Sequence, residues 1–240
     1  MKLTYIFHSG FAIETDTFSV LVDYFKDTTD HPDQGYVHDK LLHSDKPLYI
    51  LSSHFHFDHF NPQLLRWKDF KKDIHYIFSR DILKHRRAKE GDAFFLMKGE
   101  EYKDSNLAIK AFGSTDVGVS FLINMNGRSV FHAGDLNNWH WKDESTAEEV
   151  EKAERLYLKE LDLIRKATST IDVVMFPVDS RMGTDYMRGA EQFVDTIQTG
   201  LFAPMHFGEN YEQANAFKPY AESRDTAFFE LREKGQSLEF

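Results

Sequence analysis

The chain contains no cysteine. That absence excludes disulfides, thiolate metal ligands and a thiol nucleophile, and fits a reducing compartment. Basic residues are in deficit: 29 Lys and Arg stand against 39 Asp and Glu, a formal charge of -10. A binder of bare nucleic acid carries a basic footprint, so no nucleic-acid partner is expected. No apolar run approaches the roughly 20 residues that span a bilayer, so no membrane partner is expected either. The opening MKLTYIFHSGFAIE is too polar and too alternating for a signal peptide, and a soluble cytoplasmic protein is the expectation. Internal repeats, low-complexity tracts and long linkers are also missing.

What the chain does have is a core. Hydrophobic residues make up 41% and aromatics 15% of its 240 residues. That is enough for one large α/β domain, taken here as residues 1–240. LTYIFH, FAIE and FSVLVDYF read as strands, and residues 27–39 as a polar loop. PLYILSSH reads as a buried strand, followed by a helix capped by Asn61 and opened by Pro62. Asn126-Gly127 predicts a type I′ hairpin within SFLINMNGRSVFHAGD. Ser145 and Glu148 suggest a capping box for a helix whose apolar face is Val150, Ala153, Tyr157, Leu161 and Ile164. IDVVMFPVD and LFAPMHF read as strands flanking a helix that ends at Gly200, and a helix and short strand close the chain. Hairpins first, then strands alternating with helices, predict sheets covered by helices.

Twelve histidines occur in the chain, and three of them, with an aspartate, fall within SSHFHFDHFNP. On an extended segment His54 and His56 point the same way and can share one ion. Asp58 and His59 follow as the backbone turns and can face a neighbouring position. Imidazole and carboxylate suit zinc, and also iron or manganese. The phenylalanines after His54, His56 and His59 fit packing beneath the site and a drier shell around it.

HFHFDHF resembles the signature of the metallo-β-lactamase-fold hydrolases. The resemblance implies an αββα sandwich, two β-sheets between helices, with a one- or two-metal site at the sheet edges. FHAGD is similar to the strand end whose aspartate bridges the metals, which would be Asp135. APMHF is similar to the late strand ending in a metal-binding histidine, which would be His206. LVDYF resembles the early strand that supports the site, with Asp23 near it. HSGF and FPVD are closest to the lactonase-like branch. One landmark departs: FGSTDVGVS carries Ser114 where the family has a histidine. The resemblance therefore implies a first position of His54, His56 and Asp135 with a gap, and a second of Asp58, His59, Asp135 and His206.

The remaining candidates are peripheral. His8 ends the first strand and is a candidate for metal ligation or substrate contact, against an ordinary turn histidine. His132, His140 or a metal-bound water are candidate acids for the leaving group, with Asp135 bridging the metals and Asp58 ligating and orienting the attacking hydroxide. Trp139 and Trp141 suggest a pocket wall, and Ser114 a further contact. Asp179 and Arg181 follow a strand end, where Arg181 could hold a substrate anion or simply pair with a carboxylate. His31, His38 and His43 read as loop residues, His75 and His85 as structural or solvated. LKHRR reads as a solvated face, and the helix after Ser145 as core, with a homodimer face as the other option.

The expectation is a hydrolase in which water between two zinc ions, or manganese or iron, attacks a small ester, lactone or phosphoester. Two alternatives stand beside it: a di-iron oxidoreductase on the same fold, and a metal-binding domain without turnover, suggested by Ser114.

Overall fold

Continuous apolar runs such as SVLV and LYILS are buried at every position, the pattern of strands covered on both faces rather than alternating with solvent. The computed structural model describes residues 1–240 and divides into two units, Met1–Met97 with Arg232–Phe240, and Lys98–Leu231.

The first unit is built on a seven-stranded sheet. β1 (Lys2–Phe7), β2 (Gly10–Glu14) and β3 (Ser19–Val22) form antiparallel hairpins, with the C-terminal strand Ser237–Glu239 on the outer edge. From β3 the sheet turns parallel through β4 (Leu48–Ser52), β5 (Ile74–Ser79) and β6 (Phe94–Leu96). Ile6, Leu21, Ile50 and Phe78 on the sheet pack with Val37, Leu64, Trp67 and Ile82 from the helical segments. Those segments are a π-helix Val37–Leu41, a 3₁₀ helix Pro62–Asp69 capped by Asn61, and α1 (Arg80–Lys84).

The second unit has its own seven-stranded sheet. β7 (Glu101–Lys103), β8 (Leu107–Gly113), β9 (Val119–Met125) and β10 (Arg128–His132) are antiparallel, and Asn126 and Gly127 both take positive φ in the expected hairpin. β10, β11 (Thr170–Pro177), β12 (Gln198–Met205) and β13 (Ala227–Phe228) are parallel. The crossovers are α2 (Ala147–Ala167) and α3 (Arg188–Thr196), tied together where the Tyr157 hydroxyl donates to the Gly189 carbonyl at 2.7 Å. Two short helices, α4 (Tyr211–Asn215) and α5 (Lys218–Glu222), precede β13.

The mixed sheets with helices bear out the α/β class, and several local readings need correction. The capping box is Thr146 with Glu149, one residue later than the pair expected, because Thr146 holds the extended backbone that a cap requires. Gly200 does not end a helix: α3 stops at Thr196 and Gly200 lies inside β12, where a Cβ would meet the Asp172 carbonyl oxygen at 2.7 Å. The end of the chain carries a strand but no helix after Phe228. His38 is not a loop residue but is buried on the π-helix, with Nδ1 donating to Asp27 at 2.8 Å.

What matters for function is direction. Parallel neighbours deliver their C-terminal ends to one edge of a sheet, where open α/β sheets place ligands. In the first unit that edge carries Asp23 and His54, after β3 and β4. In the second it carries Asp135, Asp179 and His206, after β10, β11 and β12.

Candidate metal centre

In the first unit the histidine cluster is organised by one carboxylate. Asp23 follows β3 in the left-handed region, with φ 50°, and is fully buried. It accepts from Ser53 N at 2.7 Å, Ser53 Oγ at 2.6 Å and His59 Nδ1 at 2.7 Å. Because Ser53 Oγ spends its proton on Asp23, it can only accept from His54 Nδ1, 3.0 Å away. Asp23 thus fixes the tautomers of two imidazoles, one directly and one through a hydroxyl, so that Nε2 of each carries the lone pair that could meet a metal. His54 Nε2 in turn lies 3.0 Å from His56 Nδ1. A separation of that size would let both nitrogens reach one ion. The segment after Ser52 is already turning, so the pair converges through unlike nitrogens rather than by strand alternation.

His8, Asp58 and His59 each offer a ligand atom within 4.8 Å of the others. His8 has φ 57° and its Nε2 is 3.4 Å from Asp58 Oδ2. Burial alone would raise the Asp58 carboxyl. The His8 hydrogen bond and the charges of His59 and His8 outweigh it and hold Asp58 well below the usual carboxylate range. The flanking phenylalanines divide: Phe60 is buried, Phe55 stacks on His85 at 3.7 Å, and Phe57 is 72% exposed against Phe25, so it does not dry the site. A separate cleft of this unit, about 710 Å³, contains none of these ligand candidates and is lined by His38, His43, Arg66, Trp67 and Phe70, among others.

The second unit repeats the logic. His206 follows β12 with φ 65°, and its Nδ1 donates to Asp179 Oδ2 at 3.0 Å, leaving Nε2 at 3.4 Å from Asp135 Oδ1. Asp179 is almost wholly buried and also takes the Arg181 guanidinium, Nη2 at 2.6 Å and Nε at 2.9 Å. Burial would raise Asp179, but the His206 hydrogen bond and Arg181 reverse the shift, so it stays ionised. Arg181 is thereby an ion-pair partner that braces Asp179, and Asp179 is a positioning residue for His206. Asp135 reaches its place through Gly134 at φ 53°, and its carbonyl accepts from Trp139 Nε1 at 2.8 Å. Trp139 meets His206 edge-on at 5.4 Å and lies near-parallel to Trp141 at 6.2 Å. These residues, with Thr115 and Asp116, line a cleft of about 340 Å³.

Three expected residues lie elsewhere. His132 is fully buried, and its Nδ1 accepts from Gly134 N at 3.1 Å, bracing the turn to Asp135. His140 is held by Lys142 N and the Asp185 carbonyl, both at 3.1 Å, and does not line the cleft. Ser114 Oγ accepts from Asp116 N at 3.2 Å and also lies outside the cleft. Two contributors were missed. Ser53 offered no signal beyond adjacency to His54. Asp116, whose carboxylate lies within 4.8 Å of that of Asp135, could have been found from its place two residues after Ser114.

The donor set of each unit fits a metal ion. Imidazole nitrogens whose protons sit on buried carboxylates or hydroxyls, and an ionised Asp58, are arranged as lone-pair donors.

Among curated proteins, none matches the chain. Of solved structures, Igni18, a novel metallo hydrolase from the archaeon Ignicoccus hospitalis, is 20% identical, with TM-score 0.71, covering 100% of this chain and 98% of that one. The metallo-beta-lactamase fold protein YhfI of Bacillus subtilis is 13% identical, with TM-score 0.65, over 99% and 98% of the two chains. CmlA, a diiron beta-hydroxylase from Streptomyces venezuelae, is 12% identical, with TM-score 0.69, over all of this chain but 54% of that one. At such identities the likeness is one of fold. A family model described as a beta-lactamase superfamily domain matches residues 2–154. The chain therefore belongs to the beta-lactamase superfamily and has the metallo-β-lactamase fold, an α/β sandwich.

Proposed function

We propose that residues 1–240 act as one metallohydrolase domain that cleaves a small ester, lactone or phosphoester-type substrate. In this reading His54, His56, Asp58 and His59 at the edge of the first sheet, and Asp135 and His206 at the edge of the second, are the metal ligands, with zinc as the first choice of metal. Bound ions of this kind acidify water toward neutral pH and polarise a carbonyl or phosphoryl oxygen. The observation that carries the proposal is the convergence of His54 Nε2 and His56 Nδ1 at 3.0 Å beside a His59 whose Nδ1 is tied to buried Asp23.

The chain's own residues supply the rest. Asp23 and Asp179 keep three imidazoles in the ligating tautomer. Asp58, ionised throughout the physiological range, accepts the hydrogen bond that orients the attacking water. Trp139 and Trp141 give the cleft an apolar wall for the substrate's non-reacting part. A cleft of about 340 Å³ suits a small molecule rather than a polymer. His132 and His140, whose Nδ1 atoms serve backbone N–H groups, stay outside this scheme.

The test is turnover of lactone, ester, thioester and phosphodiester panels by metal-loaded wild type beside His54→Ala and Asp135→Ala. Turnover of one class by wild type, lost in both variants, is the expected result. Absence of turnover in every metal-loaded form would leave only a metal-binding domain. Oxidation at a di-iron site is a second reading, favoured by the carboxylate of Asp116 beside Asp135. Two irons with visible absorption would support it, and colourless zinc would exclude it.

A further inference from the structure

Ser114 leaves a gap only if the residues around it offer no other donor. β8 ends at Gly113, and the next three residues form a braced turn. Ser114 Oγ accepts from Asp116 N at 3.2 Å, so the serine is spent on shaping the backbone. Thr115 Oγ1 donates to the Asn137 carbonyl at 2.5 Å and accepts from Asn137 N at 3.0 Å. That pair clamps the turn to the loop that follows β10, the loop carrying Asp135. Asp116 is the residue the clamp leaves pointing into the cleft: it lines it with Asp135 and His206, and its carboxylate comes within 4.8 Å of that of Asp135.

The charge balance of this corner is one-sided. The cleft lining has three carboxylates, from Asp116, Asp135 and Asp179, and one guanidinium, from Arg181. Arg181 is forked onto Asp179, on the far side of His206 from Asp135. Two carboxylates within 4.8 Å repel, and a shared cation turns that repulsion into attraction. Asp135 is nearly buried and Asp116 is exposed, so water screens the pair from one side only.

We propose that Asp116 is a metal ligand, standing beside Asp135 on the cleft of the second unit in place of the absent histidine. This rests on the metal site proposed above and alters its chemistry. A carboxylate in place of an imidazole makes a harder, more oxygen-rich ligand set, and such sets move preference from zinc toward manganese or iron. The metal position next to Ser114 is then complete, and its selectivity is a property of this chain rather than of the family pattern.

The test is metal content by plasma mass spectrometry after gel filtration, with affinities from chelator competition. Protein is loaded with zinc or manganese, as wild type, Asp116→Ala, Asp116→His and His54→Ala, each checked for folding by circular dichroism. The expected result is about two ions in wild type, with affinity for one of them falling about tenfold or more in Asp116→Ala. Asp116→His should recover that ion with a preference shifted toward zinc. If Asp116→Ala binds both ions as wild type does while His54→Ala loses one, the Asp116 assignment fails and the metal site stands. If wild type takes up no metal, the site itself fails and this inference with it.

Discussion

Asp23 carries more of the candidate centre than any ligand does. One buried carboxylate sets the proton positions of His59 and, through Ser53, of His54. Asp23→Ala should therefore lower metal affinity about 10–100-fold without removing any ligand. Competition against a chromophoric chelator measures this, and unchanged affinity would show that the imidazoles orient themselves. A second carboxylate, Asp27, does comparable work on backbone. It accepts from Thr28 N, Val37 N and His38 N and from His38 Nδ1. Burial would raise it, but those hydrogen bonds, His38 first, lower it instead. The folded value thus lies below the roughly 3.9 of an unfolded chain, so the stabilisation is complete above that pH and fades as pH falls through the folded value. Asp27→Asn should cost about 2 kcal/mol or more at pH 7, and the gap to wild type should narrow below about pH 4. Urea titrations across that range check it, and a gap independent of pH would contradict it.

At the scale of elements, both sheets use the same device. Strands that begin as antiparallel hairpins become parallel, and the parallel ends deliver polar residues to one edge. Left-handed backbone at Asp23 and His206 turns each side chain back toward that edge, a cost of order 1 kcal/mol per residue that the surrounding hydrogen bonds offset. Much of this was legible in the chain itself. His54, His56, Asp58 and His59 are contiguous, so a short motif exposes them; Asn126-Gly127 marks its hairpin because few other pairs accept two positive φ angles. Asp116 was half legible: its place two residues after Ser114 marks it, but only the Thr115–Asn137 clamp shows where its turn is held. The short strands β6 and β7 were hidden, for three residues are too few to show a period. Helix starts are decided by backbone conformation as much as residue type, which is why two adjacent hydroxyls, Ser145 and Thr146, were confused. Thr146→Ala should lower Tm by roughly 2–4 °C, and Ser145→Ala should not. Thermal melts showing the reverse order would return the cap to Ser145.

For the whole molecule, each of the two sheets brings residues far apart in the sequence to one of its own edges: Asp23 and His54 in the first unit, Asp135, Asp179 and His206 in the second. No helix is long and apolar enough to cross a membrane. A net charge of -10 suits a protein that attracts cations and small polar substrates more than polyanions. The metal reading is most directly tested by anomalous diffraction at the metal absorption edge from crystals of metal-loaded protein. The account predicts anomalous peaks at the sheet-edge residues themselves: His54, His56, Asp58 and His59 of the first unit, and Asp116, Asp135 and His206 of the second. Crystals with no peak at those residues, or with peaks only at outlying histidines such as His31 and His75, would contradict it.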